Sequence, residues 1–267
     1  MKDRVDRVIE ILAVKGFRSV TELSADLGVS EGTVRRYLDL LQRKDLIRRT
    51  HGGAWAGQDV AETDYRLRET EHRGEREAIG RLAWTLIQPD ESVYIDAGST
   101  AAHLAAAMDD SRRLTVVTNS TMVLQLLENR TLIDTIVLGG KLHAPSRSLV
   151  GPIAEETVRQ FHFARAFLGV NGIDLEEGLT QFNMEELSVK KAVAASSRQV
   201  VVLADSTKFS RNLFVSFLPL DRVDLIITDE GIPAGILSAL EARNIQVLVA
   251  RAGDGPERLL RDSGGLH

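Results

Sequence analysis

The stretch VSEGTVRRYLDLLQRKDLIRRTHGGAWAG, residues 29–57, decides how the first part of this chain folds. Ser30 is placed to cap a helix, its hydroxyl taking an amide of the first turn. Val34, Leu38 and Leu41 then recur at i, i+4 and i+7, the spacing of one buried helical face. The opposite face near the helix start carries Glu31, Gly32, Thr33, Arg35 and Arg36, which are acidic, small, polar or cationic. Upstream, Ser19 and Glu22 have the spacing of a reciprocal capping box, followed by Leu23, Leu27 and a stop at Gly28. Further upstream, Val5, Val8, Ile9 and Leu12 form another helical stripe that ends at Gly16. The second and third helices are separated by only Gly28-Val29-Ser30, which is the helix-turn-helix pattern. Downstream, LIRRTHGGA reads as a strand running into a glycine turn. Leu46 and Ile47 pack inward; Arg48, Arg49, His51 and Gly52 flank the third helix as a wing.

The chain is acidic overall, with 33 Lys+Arg against 38 Asp+Glu, but the first 56 residues hold 11 Lys/Arg against 8 Asp/Glu. Between Arg35 and Arg49 the count is six basic residues to two acidic ones. A helix start of this kind enters the major groove of double-stranded DNA, and cations facing phosphate gain from counterion release. Gly32 lets the backbone come close, and Arg35 or Arg36 can fork onto a guanine edge or clamp a phosphate. The candidate DNA-contacting residues are therefore Ser30, Glu31, Gly32, Thr33, Arg35, Arg36, Arg48, Arg49, His51 and Gly52. The alternative is a small helical domain whose exposed arginines meet another protein. With no cysteine in the chain, disulfides, thiolate metal sites and cysteine nucleophiles are excluded. No apolar run approaches the length of a membrane helix, and the charged N-terminus is not a secretory signal; both fit a cytoplasmic protein.

Residues 1–57 are read as this winged head, 58–74 as a polar linker, 75–250 as a second domain and 251–267 as a charged tail. In the second domain, short Val/Ile-rich runs alternate with helical patterns: SVYID, LTVVT, DTIVLGG, ARAFLGV, QVVVLAD, VDLIITD and IQVLVA. Apolar strands separated by helices indicate an α/β domain with a mostly parallel sheet. Ligands in such folds bind where strands end. The candidates there are Asp96, Gly98, Ser99 and Thr100 after the first run, and Thr118, Asn119 and Ser120 after the second. Gly139 and Gly140 follow the third run. Gly169, Asn171, Gly172 and Asp174 follow the fourth, and Lys208 the fifth. Singly, each is ordinary turn and cap chemistry; together, hydroxyls, amides at a helix start and one lysine make a site for a phosphate or polyol. There is no Walker A, no GxGxxG, no HExxH and no GxSxG, so nucleotide cofactors, a zinc protease centre and a hydrolase elbow are unsupported; the expectation is no cofactor and no metal.

VTELSADLGVSEGTVRRYLDLLQRKDLIRRTHGGA resembles the DNA-binding region of the DeoR family of bacterial transcriptional regulators. That family carries Asp after the arginine pair, where this chain has Tyr37. The resemblance continues in order through EREAIGRLAWTLI, YIDAGST, VVTNS, LGGKL, GVNGID, GLT, LADSTKF and DLIITD. It implies a C-terminal domain like the ribose-5-phosphate isomerase and CoA-transferase folds that senses a phosphorylated sugar or related metabolite. The implied function is a metabolite-controlled regulator, most often a repressor, acting as a dimer or tetramer on paired DNA half-sites. The competing reading is a sugar-phosphate isomerase with an appended head, for which Asp96, Asp174, Glu185 and Asp205 are available acids.

Overall fold

The computed structural model describes residues 2–15, 17–43, 47–50, 52–56 and 72–251. Gly16, Leu46, His51, most of the expected linker and nearly all of the expected tail lie outside these residues.

The head is three helices and a small sheet: α1 (Lys2–Lys15), β1 (Arg18–Ser19), α2 (Val20–Leu27), α3 (Glu31–Gln42), β2 (Ile47–Thr50) and β3 (Gly53–Ala56). The caps follow the local chemistry. Ser19 Oγ accepts from the Glu22 amide at 3.1 Å while the Ser19 amide donates to Glu22 at 2.8 Å, closing the capping box of α2. Ser30 accepts from the Thr33 amide and starts α3. Val5, Val8, Leu12, Leu23, Val34, Leu38, Leu41, Ile47 and Ala54 are buried together in the head core, with Ile9 and Leu27 half-buried against them. The wing is an antiparallel hairpin, β2 with β3, and β3 also pairs with β1. The Val20 amide donates to the Gly52 carbonyl at 2.8 Å and ties the wing turn to α2.

In the second domain the order is α4 (Arg73–Leu86), β4 (Ser92–Ile95), α5 (Ser99–Ala107), β5 (Leu114–Thr118), α6 (Thr121–Leu127), β6 (Ile133–Val137), β7 (Lys141–His143), β8 (Ser148–Val150), α7 (Pro152–Val158), β9 (Phe163–Gly169), β10 (Gly172–Asp174), β11 (Gly178–Gln181), α8 (Leu187–Ala195), β12 (Ser197–Leu203), β13 (Val215–Leu218), β14 (Leu225–Asp229), α9 (Ala234–Glu241) and β15 (Gln246–Ala250). All seven apolar runs become strands of one parallel sheet, ordered β15-β14-β12-β9-β4-β5-β6. Successive residues alternate between its two faces. Val93, Ile95, Val116, Phe167, Val201 and Ile227 pack with α4, α5 and α6; Tyr94, Val117, Ala166, Leu168, Val202 and Ile226 pack with α7, α8 and α9. A second small sheet, β10-β11-β13, and the β7-β8 hairpin are antiparallel additions. The chain thus runs β4→β5→β6 to one side, returns to β9 beside β4, then runs through β12 to β15 on the other. This reversal between β4 and β9 is a topological switch point.

α4 opens at Arg73, inside the span expected to be linker, with Arg73 reaching Glu77 at 2.7 Å across one turn. α4 lies so close to α5 that a Cβ on Gly80 would sit 2.5 Å from the His103 backbone. Gly80→Ala is expected to cost about 1–3 kcal/mol, the range for overpacking, in urea unfolding. At the other end of the same face, Arg76 of α4 is buried and donates from Nε to Asp205 just beyond β12 at 3.1 Å. Burial pushes the Asp205 carboxyl up, but Lys208, Thr207 and Arg76 outweigh it and hold it at about 2. The native state therefore binds this proton more weakly than the unfolded chain. The stabilisation, about 2 kcal/mol, is complete well above the unfolded value near 4 and fades as pH falls toward the folded value near 2. Urea unfolding of Asp205→Asn should show a deficit of about that size at neutral pH, with about half of it gone near pH 3. A deficit independent of pH would contradict the pairing.

Candidate functional site

Two surfaces carry chemistry. On the head, the start of α3 presents Gly32, Arg35 and Arg36 to solvent. Glu31 pairs with Arg35 at 3.1 Å and accepts from Thr21 Oγ at 2.7 Å. Arg36 reaches Thr33 Oγ at 3.4 Å. Arg49 on β2 is bonded to Asp39 on α3, so it fastens the wing to that helix. Tyr37 is half-buried against the head core. Arg48 lies on β2, register-paired with Trp55.

The second surface is a pocket of about 120 Å³ at the carboxyl ends of the central strands. A single water needs roughly 10–15 Å³ on this measure, so the space admits a small metabolite. Three strand ends contribute one wall: Gly98, Ser99 and Thr100 after β4, Gly169 and Asn171 after β9, and Lys208 after β12, with Arg76 beside them. Gly98 has φ +140°, a conformation other residues rarely adopt, and it starts α5 with no side-chain cap. The first amides of a helix have no intrahelical partner, so this turn offers donors and a positive dipole end to an anion.

The far wall was not expected. It consists of Pro145 and Ser146 from the β7-β8 loop, then Gln181, Phe182, Asn183, Glu186 and Lys190 after β11 and on α8. Lys190 bonds the buried Asp96 and donates to the Gly169 carbonyl at 2.9 Å, while the Gly169 amide donates to Asp96 at 3.0 Å. Burial pushes the Asp96 carboxyl above its ordinary range, with Lys190 and that amide pulling against it. Asp96 is thus a buried post that orients Lys190. Glu186 accepts from Ser148 Oγ at 3.0 Å and from Gln181 Nε2. Ser148 is linked at 2.7 Å to Ser146, which is linked at 2.7 Å to His143. Asn183 reaches the same imidazole at 3.1 Å.

Several expected residues do not line this pocket. Thr118 donates to the Ile95 carbonyl at 2.6 Å and accepts from the Ser120 amide, and Ser120 caps α6. Asn119 accepts from Tyr94 at 2.8 Å and donates to the Leu149 carbonyl at 3.1 Å. Burial, with Asp96 and Glu186 nearby, raises the Tyr94 phenol and keeps it a donor. The Thr118 and Asn119 side chains thus cross-link β4, β5 and β8. Gly139 and Gly140 turn against Ile153 and Val150, and Gly172 against Arg211. Asp174 accepts the Glu176 and Glu177 amides and closes the β10-β11 turn. Lys190 and Arg76 had a sequence signal: each is a cation on an apolar helical stripe, Leu187/Lys190/Ala194 and Arg76/Ile79/Ala83. Among the described residues no group of three or more His, Asp or Glu is placed to hold a metal, and no helix is long and apolar enough to cross a membrane.

Comparison with known proteins matches both parts. A family model described as the DeoR-like helix-turn-helix domain fits residues 4–58, and one described as the DeoR C terminal sensor domain fits residues 71–230. The chain is 30% identical over 250 residues to a putative aga operon transcriptional repressor of Escherichia coli O157:H7, covering 92% of this chain and 93% of that one. It is 33% identical over 248 residues to the transcriptional regulator GlpR of Haloferax volcanii, covering 92% and 96%. It is 30% identical over 244 residues to the glycerol-3-phosphate regulon repressor of Escherichia coli K12, covering 91% and 97%. Ribose 5-phosphate isomerase A of Methanocaldococcus jannaschii superposes on 53% of this chain, and this chain on 56% of it, at a TM-score of 0.40 and 15% identity. A winged head, a parallel α/β body with a switch-point pocket, and matches spanning both place this chain in the DeoR family of transcriptional regulators.

Proposed function

We propose that this protein is a repressor that binds operator DNA through the start of α3 and the wing, and is controlled by a small phosphorylated sugar or polyol in the pocket. The observation that carries the ligand reading is the uncapped first turn of α5 facing a pocket that also holds Lys208 and Arg76. A phosphate there meets helix amides and two cations. Ser146, Asn183 and Glu186 on the opposite wall, with Asn171 after β9, supply the mixed donors and acceptors that hydroxyls need. The names of the relatives, one of them a glycerol-3-phosphate regulon repressor, support the same ligand class. Binding rather than catalysis is supported by Asp96: the acid at the end of β4 is tied to Lys190 and the Gly169 amide, so it is not poised as a base. The protein acts in the cytoplasm as a homo-oligomer, a dimer or tetramer, because paired half-sites call for symmetry-related heads.

Two measurements test this. Operator affinity by fluorescence anisotropy should fall steeply with salt. Arg36→Ala should weaken it, by about 1–3 kcal/mol if the side chain reads a base, or with a salt slope shallower by about one if it clamps a phosphate. A salt-independent interaction would point instead to a protein partner. Calorimetric titration with glycerol 3-phosphate and ribose 5-phosphate should show binding that Lys208→Ala weakens roughly 10–100-fold, the loss of one charge-assisted bond. Equal affinity for the unphosphorylated sugars would remove the phosphate from the reading.

A further inference from the structure

The segment that forms the far wall of the pocket also touches the head. Phe182 lines the pocket, yet it is buried in the same apolar cluster as the head core, and Leu213 joins it there. Its neighbours on both sides are committed to the pocket: Gln181 bonds Glu186, and Asn183 bonds His143 and accepts the Glu185 amide at 2.8 Å. Leu213 is held to the same strand, its amide donating to Thr180 Oγ at 3.1 Å, and that hydroxyl donating to the Arg211 carbonyl at 3.0 Å. Phe182 and Leu213 therefore form a small apolar plug, anchored at the pocket and seated in the head.

We propose that Phe182 is the positioning residue through which pocket occupancy reaches the DNA-binding head. This rests on the ligand reading above. Packed interiors do not deform continuously, so moving a buried aromatic ring by a fraction of its width repacks whatever it touches. A ligand that seats Gln181 and Asn183 differently selects between two placements of Phe182, and hence between two placements of the head. The effect is limited by the ligand's differential affinity for those placements. Linkage makes it reciprocal: operator DNA must change ligand affinity by the same factor that ligand changes operator affinity.

The test uses the full-length protein with ribose 5-phosphate and glycerol 3-phosphate as probes. Ligand affinity is measured by calorimetry, and operator affinity by anisotropy with and without saturating probe. For the wild type the ratio of the two operator affinities should differ from one by about 5–150-fold. Leu213→Ala lies outside the pocket; it should bind the probe as the wild type does while its ratio falls toward one. Phe182→Ala should bring the ratio to near one at saturation, and Phe182→Leu, which keeps an apolar plug, should restore part of it. These last two keep the test informative if one variant folds poorly. If the probes bind but the wild-type ratio is one, or if Leu213→Ala and Phe182→Ala both keep the wild-type ratio, the coupling role is wrong. If neither probe binds the wild type, the ligand reading itself has failed, and calorimetry alone identifies that outcome.

Discussion

Two carboxylates at the ends of central parallel strands are placed where almost no water reaches them. Asp96 follows β4 and Asp205 follows β12, and both side chains are essentially buried. Removing a cation from such a pair would strand an uncompensated charge, which typically costs several kcal/mol. The sequence therefore has to bring Lys190 from α8 and Arg76 from α4 to these two points. Once it does, the helices are registered against the sheet, α5 begins where β4 stops, and a pocket lined with cations and helix amides remains between them. The proposed ligand chemistry uses the same electrostatics that hold the layers together.

The head depends on a different constraint. Each helix is too short to be stable alone and survives by burying one stripe. Val34, Leu38 and Leu41 are spent on that core, which leaves Gly32, Arg35 and Arg36 outside at the start of α3. The Arg49–Asp39 contact then fixes the wing to the same helix, so the cationic surface is presented as one unit.

The head and the seven strands were legible because they rest on local signals: capping residues, helical stripes and Val/Ile runs that read the same in any tertiary context. The α5 side of the pocket was legible too, since Gly98-Ser99-Thr100 follows a strand and opens a helix. The identical-looking Thr118-Asn119-Ser120 misled for a tertiary reason. β5 lies one strand away from the switch point, where Ile95, Tyr94 and Leu149 absorb its polar side chains. The far wall was hidden by distance in sequence. Nothing local to Gln181, Phe182 or Glu186 announces that an antiparallel insertion will fold back over strand ends formed about eighty residues earlier. Lys190 did carry a signal, as a cation on a buried stripe, and a search for such misplaced charges would have found it together with Arg76.

The proposed function depends on a phosphorylated ligand at the first turn of α5. Amide hydrogen exchange with and without ribose 5-phosphate addresses it at the residues concerned. Protection concentrated in residues 98–101 and around Lys208 is the predicted result. Protection confined to other parts of the chain, or none at ligand concentrations that saturate binding, would contradict it.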